Sequence, residues 1–234
     1  MGERLDKFLA SQGLGTRKEV GKLIRSGVVT VDGVSQRDPG AKVDLGRQQV
    51  AVEGRSVSYQ EHLYIMMNKP AGVLSATEDR HAETVLDLLP EELRRRGLFP
   101  AGRLDKDTTG LMLITDDGDL AHRMLSPKKH VYKLYLAELD APVTAEDVEA
   151  FQAGIHWAGE SYAPGRLWTE EDPFQGYVEI REGRFHQVKR MFEARGKTVQ
   201  QLKRLKIGGL ALDDTLEEGE CRLLTPEEVE SIFG

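Results

Sequence analysis

The chain has 234 residues, enough for one large domain or two smaller ones. Apolar residues make up 39% and charged residues 30%, which excludes wholesale disorder, and apolar runs such as Tyr64–Met67 fall far short of the roughly 20 residues that span a bilayer. The first ten residues hold no apolar signal core, and the single cysteine, Cys221, excludes an intrachain disulfide and a cysteine-rich metal site, so a cytoplasmic protein is expected.

The net charge of −7 is unevenly spread. Residues 1–30 carry six Lys and Arg against three acids, residues 181–206 carry nine against Glu182 and Glu193, and residues 122–133 hold four bases and two histidines with no acid. The negative charge concentrates in 140–180 and 213–234. A polyanion senses the local potential over about 10 Å at ordinary salt, so this chain is a candidate for nucleic-acid binding despite its overall sign.

From the N-terminus, Leu5, Phe8 and Leu9 recur at helical spacing, as do Val20, Leu23 and Ile24. Thr16-Arg17-Lys18-Glu19 fits a capping box for the second helix, and Gly27 is placed to end it. The β-branched run Val28–Val31 and the Asp32-Gly33 turn predict a hairpin. Residues 1–58 therefore read as a small module, with 54–62 as a linker and 63–234 as a second domain. In that domain strands are expected at 63–67, 111–115, 132–139, 177–181 and 197–200. Helices are expected at 84–89, 118–125, 145–153, 186–195 and 226–233. Without regular βα alternation, the fold class is α+β with a largely antiparallel mixed sheet flanked by helices.

No phosphate loop, dinucleotide fingerprint, zinc-spaced histidine pair or G-x-S-x-G elbow occurs. What stands out is Gly102-Arg103-Leu104-Asp105-Lys106-Asp107-Thr108-Thr109-Gly110, a polar loop feeding the apolar run Leu111–Ile114. Loops held by rigid elements often carry catalytic side chains, and cations close to a carboxylate favour its charged form. By spacing alone, Asp105 reads sooner as a turn cap than as a catalytic group.

The ordered motifs decide between these readings. Arg4-Leu5-Asp6-Lys7-Phe8-Leu9, Thr16-Arg17-Lys18 and Gly27–Gly33 resemble an S4 RNA-binding domain. Asn68-Lys69-Pro70-Ala71-Gly72, Gly102–Asp105 with Asp107–Gly110, Thr115–Gly118, Lys133-Leu134-Tyr135-Leu136 and Glu182–Met191 follow in order, and together the chain resembles the RsuA family of bacterial ribosomal RNA pseudouridine synthases. The resemblance implies an isomerase that breaks the uridine C1′–N1 bond, turns the base and rejoins it through C5, with no cofactor and no metal. It implies Asp105 as nucleophile, attacking C1′ or C6 or deprotonating the sugar, and Tyr135 as the residue that stacks on the target base. It further implies a basic partner for Asp105 at Lys189, with Arg190 as the fallback. Arg103 lies near the flipped-out base, and Arg184 and Arg190 contact RNA. Lys69 is structural or phosphate-facing, and His186 is a core residue or an RNA contact. The S4-like module docks structured RNA through Arg4, Lys7, Arg17, Lys18, Lys22 and Arg25.

The His186–Met191 string leans toward the branch that modifies 16S ribosomal RNA rather than 23S. The expected protein is a monomer acting on ribosomal RNA, free or within an assembly intermediate. The rival readings are a 23S enzyme of the same family and a non-catalytic ribosome-assembly factor. A methyltransferase is a third, but the glycine-rich donor loop that it needs is absent.

Overall fold

The computed structural model describes residues 2–57, 61–95, 97–126 and 131–234. The expected linker 54–62 and the basic stretch 122–133 lie partly outside these residues. Two compact units emerge: residues 1–63 with 89–98, and residues 64–88 with 99–234. The first therefore takes in residues 89–98, which fall inside the sequence range read above as the second domain.

The first unit runs β1 (Glu3–Arg4), α1 (Leu5–Ser11), α2 (Arg17–Ser26), β2 (Val29–Val31), β3 (Val34–Ser35), β4 (Lys42–Val43), β5 (Val50–Val52) and β6 (Arg55–Val57). α2 starts where the sequence predicts it: the Thr16 hydroxyl accepts from the Glu19 amide while the Glu19 carboxylate accepts from the Thr16 amide. It stops at Gly27, whose φ of 86° suits a residue without a Cβ. Leu5, Phe8, Leu9, Val20 and Ile24 close over Val29, Val43 and Val50 as one buried cluster. The small sheet is antiparallel in the order β3-β2-β5-β6, and β1 pairs separately with β4. Burying that helical stripe leaves Lys18, Lys22 and Arg25 on the outer face of α2, all exposed.

The second unit contains β7 (Tyr64–Lys69), β8 (Phe99–Pro100), β9 (Thr109–Thr115), α3 (Gly118–Leu125), β10 (Lys133–Leu139), α4 (Ala145–Ala153), β11 (Ile155–Trp157), β12 (Glu160–Tyr162), β13 (Arg166–Trp168), β14 (Gln175–Ile180), α5 (Gln187–Glu193), β15 (Val199–Ile207), β16 (Leu210–Ala211), β17 (Cys221–Leu223) and α6 (Pro226–Ser231). Its large sheet runs β13-β14-β10-β15-β9-β7-β17, with β8 on β9 and β16 on β15. Among the described residues every pairing in this sheet is antiparallel except β9 with β15, which join in parallel at Thr109↔Lys203 and Gly110↔Arg204. The fold is thus α+β with a largely antiparallel mixed sheet.

Several elements differ from expectation: β6 (Arg55–Val57) falls inside the expected linker 54–62, and β8, β11, β12, β13, β16 and β17 match none of the expected strands. Residues 84–89 form turns, not a helix. The Thr84 amide and hydroxyl both donate to the Asp87 carboxylate, and Leu74 bridges Thr84 in parallel. So short a stretch cannot offset the cost of helix nucleation once its amides find a nearer acceptor. The strand expected at 197–200 spans Val199–Ile207 instead. Buried Leu202, Arg204 and Ile207 line its inner face, and the Lys and Arg residues among them mask the apolar pattern.

Candidate active site

The loop between β8 and β9 carries Asp105, and it is clamped from below. The Lys69 side chain ends β7 fully buried, and its ammonium donates to the carbonyls of Pro70 (3.0 Å), Lys106 (3.3 Å) and Thr108 (2.9 Å). The Gly72 amide donates to the Lys106 carbonyl at 2.7 Å. The Ser75 hydroxyl bonds both ways to Leu104, accepting from its amide and donating to its carbonyl. The Thr108 amide closes a turn onto the Asp105 carbonyl. The Asn-Lys-Pro-Ala-Gly motif is therefore a buttress for the Asp105 loop, and Lys69 is a structural lysine here. Burial pushes its ammonium down to about 8, against the pull of Asp107 and Asp105.

α5 supplies the opposite side. Val188, Met191 and Phe192 bury one face of the helix, with the Phe192 ring 5.0 Å from that of Phe151. Gln187 is buried, accepting from the Arg184 amide and donating to Glu182, whose carboxylate also accepts from the Ala163 amide. This anchoring turns Lys189 toward the loop. Its ammonium lies 3.4 Å from Asp105 Oδ2 and 2.6 Å from Asp107 Oδ1. The Lys189 hydrogen bond holds the Asp107 carboxyl below its ordinary range. Arg190, one residue on, points elsewhere, donating to Glu160 (3.0 Å) and to the Tyr162 hydroxyl (3.3 Å). The cation beside Asp105 is thus Lys189, not the fallback Arg190.

Asp105 has a second neighbour, His186, expected from the sequence only as a core residue or an RNA contact. His186 Nε2 lies 3.5 Å from Asp105 Oδ1, so a nitrogen faces each carboxylate oxygen. His186 precedes α5 with φ 52° and ψ 29°, a left-handed conformation uncommon for a residue with a Cβ. No periodicity signals that geometry; only the position of His186 three residues before Lys189 hints at it.

Tyr135 on β10 is buried, and alternation puts it on the same face as Lys133, Ala137 and Leu139. It lines an open cleft together with Arg103, Asp105, Arg184, His186 and Gln187. Tyr132 lies before the strand and lines a separate cavity with Ile232 and Phe233. Arg103 and Arg184 put positive charge at the cleft, the Arg184 guanidinium lying 5.6 Å from the Tyr162 ring centre and donating to the Ser161 carbonyl.

The remaining basic candidates lie in the first unit. Arg4 and Arg17 both grip buried Asp6, at 3.0 and 2.9 Å, and Lys7 pairs with Glu3 at 2.7 Å. The Arg4 hydrogen bond, opposed by burial and aided by Arg17, holds the Asp6 carboxyl down at about 2. Among the described residues no cluster of three or more His, Cys, Asp or Glu residues could hold a metal, and no helix is long and apolar enough to cross a membrane.

Comparisons with known proteins give the family. Residues 63–194 match the RNA pseudouridylate synthase family model, and residues 3–48 match the S4 domain model. The chain is 47% identical to an RNA pseudouridine synthase of Bacillus subtilis strain 168 over 97% of this chain and 96% of that one. It is 45% identical to the ribosomal small subunit pseudouridine synthase A of Vibrio cholerae and 43% to that of Escherichia coli K12, each over 98% of this chain and 99% of the relative. A crystal structure of a pseudouridylate synthase superposes with a TM-score of 0.68 at 39% identity, covering 98% of this chain and 99% of that one. This chain belongs to the RNA pseudouridine synthase family, in its RsuA branch. As a pseudouridine synthase it is an isomerase, and the cleft over Asp105 is its candidate active site.

Proposed function

We propose that this synthase converts one uridine of small-subunit ribosomal RNA into pseudouridine, with Asp105 as the nucleophile and no cofactor. The observation that carries the reading is the ion pair of Asp105 with Lys189, at 3.4 Å, on a cleft that Tyr135 also lines. A carboxylate suits covalent catalysis because it can attack carbon and later leave. In the reaction the C1′–N1 bond breaks and a C1′–C5 bond forms. The proton lost from C5 is balanced by one gained at N1, so nothing is oxidised and no group leaves.

Each side chain then has a task. The target uridine leaves its stack, which costs a few kcal/mol, and Tyr135 gives its base an aromatic surface in the cleft. Arg103 and Arg184 hold the flanking backbone at the mouth. Lys189 steadies the carboxylate charge between steps. The S4 domain docks the RNA through Lys18, Lys22 and Arg25, with Arg4 and Arg17 fixed in place by Asp6. The small-subunit assignment follows the names of the Vibrio and Escherichia relatives, which align over nearly the whole chain.

The deciding experiment is Asp105→Asn, which keeps size and shape while removing the nucleophile. Tritium release from ribosomal RNA labelled at uridine C5 should vanish while RNA affinity stays within a few-fold. Product formation at the parent rate would end the mechanism. Mapping carbodiimide-induced reverse-transcriptase stops in a deletion strain should show one lost stop in small-subunit RNA; a loss in large-subunit RNA would reassign the substrate.

A further inference from the structure

Phe185 is 67% exposed, a large aromatic ring left in water at the rim of the cleft. A single exposed apolar side chain is ordinary on a protein surface. This one is not isolated. Its ring stacks on the imidazole of His186 with centroids 3.8 Å apart and planes 19° from parallel. His186 lines the cleft and faces Asp105, whereas Phe185 lies outside the lining. The two rings therefore form a short stack leading from the candidate nucleophile to the surface. Their separation is close to the roughly 3.4 Å step between successive bases of a strand. One cation joins the stack: the Arg190 guanidinium lies over the Phe185 ring, 5.1 Å from its centre. Glu160 and Tyr162 hold Arg190 in place, and 67% of Phe185 is still open to solvent.

We infer that Phe185, backed by His186, is a stacking platform for the nucleotide next to the target uridine. An exposed aromatic ring with an arginine against it is the chemistry that takes an unpaired base and its phosphate, whatever the base identity. A flipped uridine leaves a neighbour with one face unstacked, and an exposed ring one stacking step from the cleft offers a replacement. This rests on the cleft being the uridine site, and it adds a second subsite to that reading.

The test compares two probes on the Asp105→Asn protein: uridine 5′-monophosphate and the trinucleotide ApUpA. Occupation of the platform should make the trinucleotide bind about tenfold tighter than the monophosphate. Adding Phe185→Leu, which keeps an apolar side chain but removes the ring, should erase that advantage and leave monophosphate affinity unchanged. Phe185→Trp should restore it. Equal trinucleotide affinity with and without the ring would overturn the platform. So would a Phe185→Leu defect confined to ribosomal particles, because that would mark a protein contact. If the monophosphate itself fails to bind, the fault lies with the cleft reading, and the platform falls with it.

Discussion

At the residue scale, Lys189 shares its ammonium between two carboxylates, closer to Asp107 than to Asp105. Asp107 is the more exposed partner, and exposed pairs contribute little to stability. The partly shielded contact with Asp105 is the one expected to matter for rate. Lys189→Met should lower kcat on the order of 10²-fold with little change in KM, as for other single charges placed at a reacting centre. Lys189→Arg should keep most of the activity, since it preserves the charge at similar reach. Parent-like turnover by the Met variant in single-turnover assays would remove Lys189 from the chemistry. Asp105, Tyr135 and Lys189 were legible because each sits in a short motif of fixed order. His186 beside Asp105 was not, because a left-handed residue before a helix leaves no periodic trace. Arg190 pointing away from Asp105 was equally hidden, since adjacent residues on a helix diverge by about 100° and sequence alone does not say which one faces inward.

At the scale of elements, the site depends on the parallel contact of β9 with β15. Gly110 lies in that contact with φ 96°, and a Cβ there would fall 2.3 Å from the Arg204 carbonyl oxygen. No backbone tolerates such an approach, so Gly110→Ala must push the strands apart as well as strain its own dihedrals. The expected cost is roughly 1–3 kcal/mol or more. For a chain of this size, melting should fall about 2–4 °C per kcal/mol, which thermal unfolding by circular dichroism would register. Activity should fall further than stability, because the Asp105 loop leads directly into this stretch of β9; a variant as stable and active as the parent would refute the packing argument. The core of this sheet is legible in its apolar runs. The full length of β15 is not, because an inner-face arginine, Arg204, donates to the Leu111 carbonyl and so takes a place where the pattern calls for an apolar residue. Nor is the turn over 84–89, where the Thr84–Asp87 side-chain bond displaces the expected helix.

At the scale of the whole molecule, a chain of net charge −7 is expected to bind a polyanion because its bases are grouped. Lys18, Lys22 and Arg25 share the exposed face of α2. Replacing all three with Gln should weaken binding to small-subunit RNA and flatten the dependence of log affinity on log salt by up to about 0.7–0.9 per lost phosphate contact. Filter binding across a potassium chloride series measures both, and an unchanged slope would take this helix off the RNA. The same grouping made a nucleic-acid role readable from composition once the chain was divided into windows.

The parallel join of β9 to β15 also fixes when the enzyme can first work. Residue 105 leaves the ribosome about a hundred residues before the strand that brackets its loop, and Lys189 emerges only shortly ahead of that strand. A nascent chain that stops short of Val199 carries Asp105 and Lys189 but lacks the strand with which β9 pairs in parallel. The frame around Asp105 is therefore expected to close only when synthesis is nearly finished.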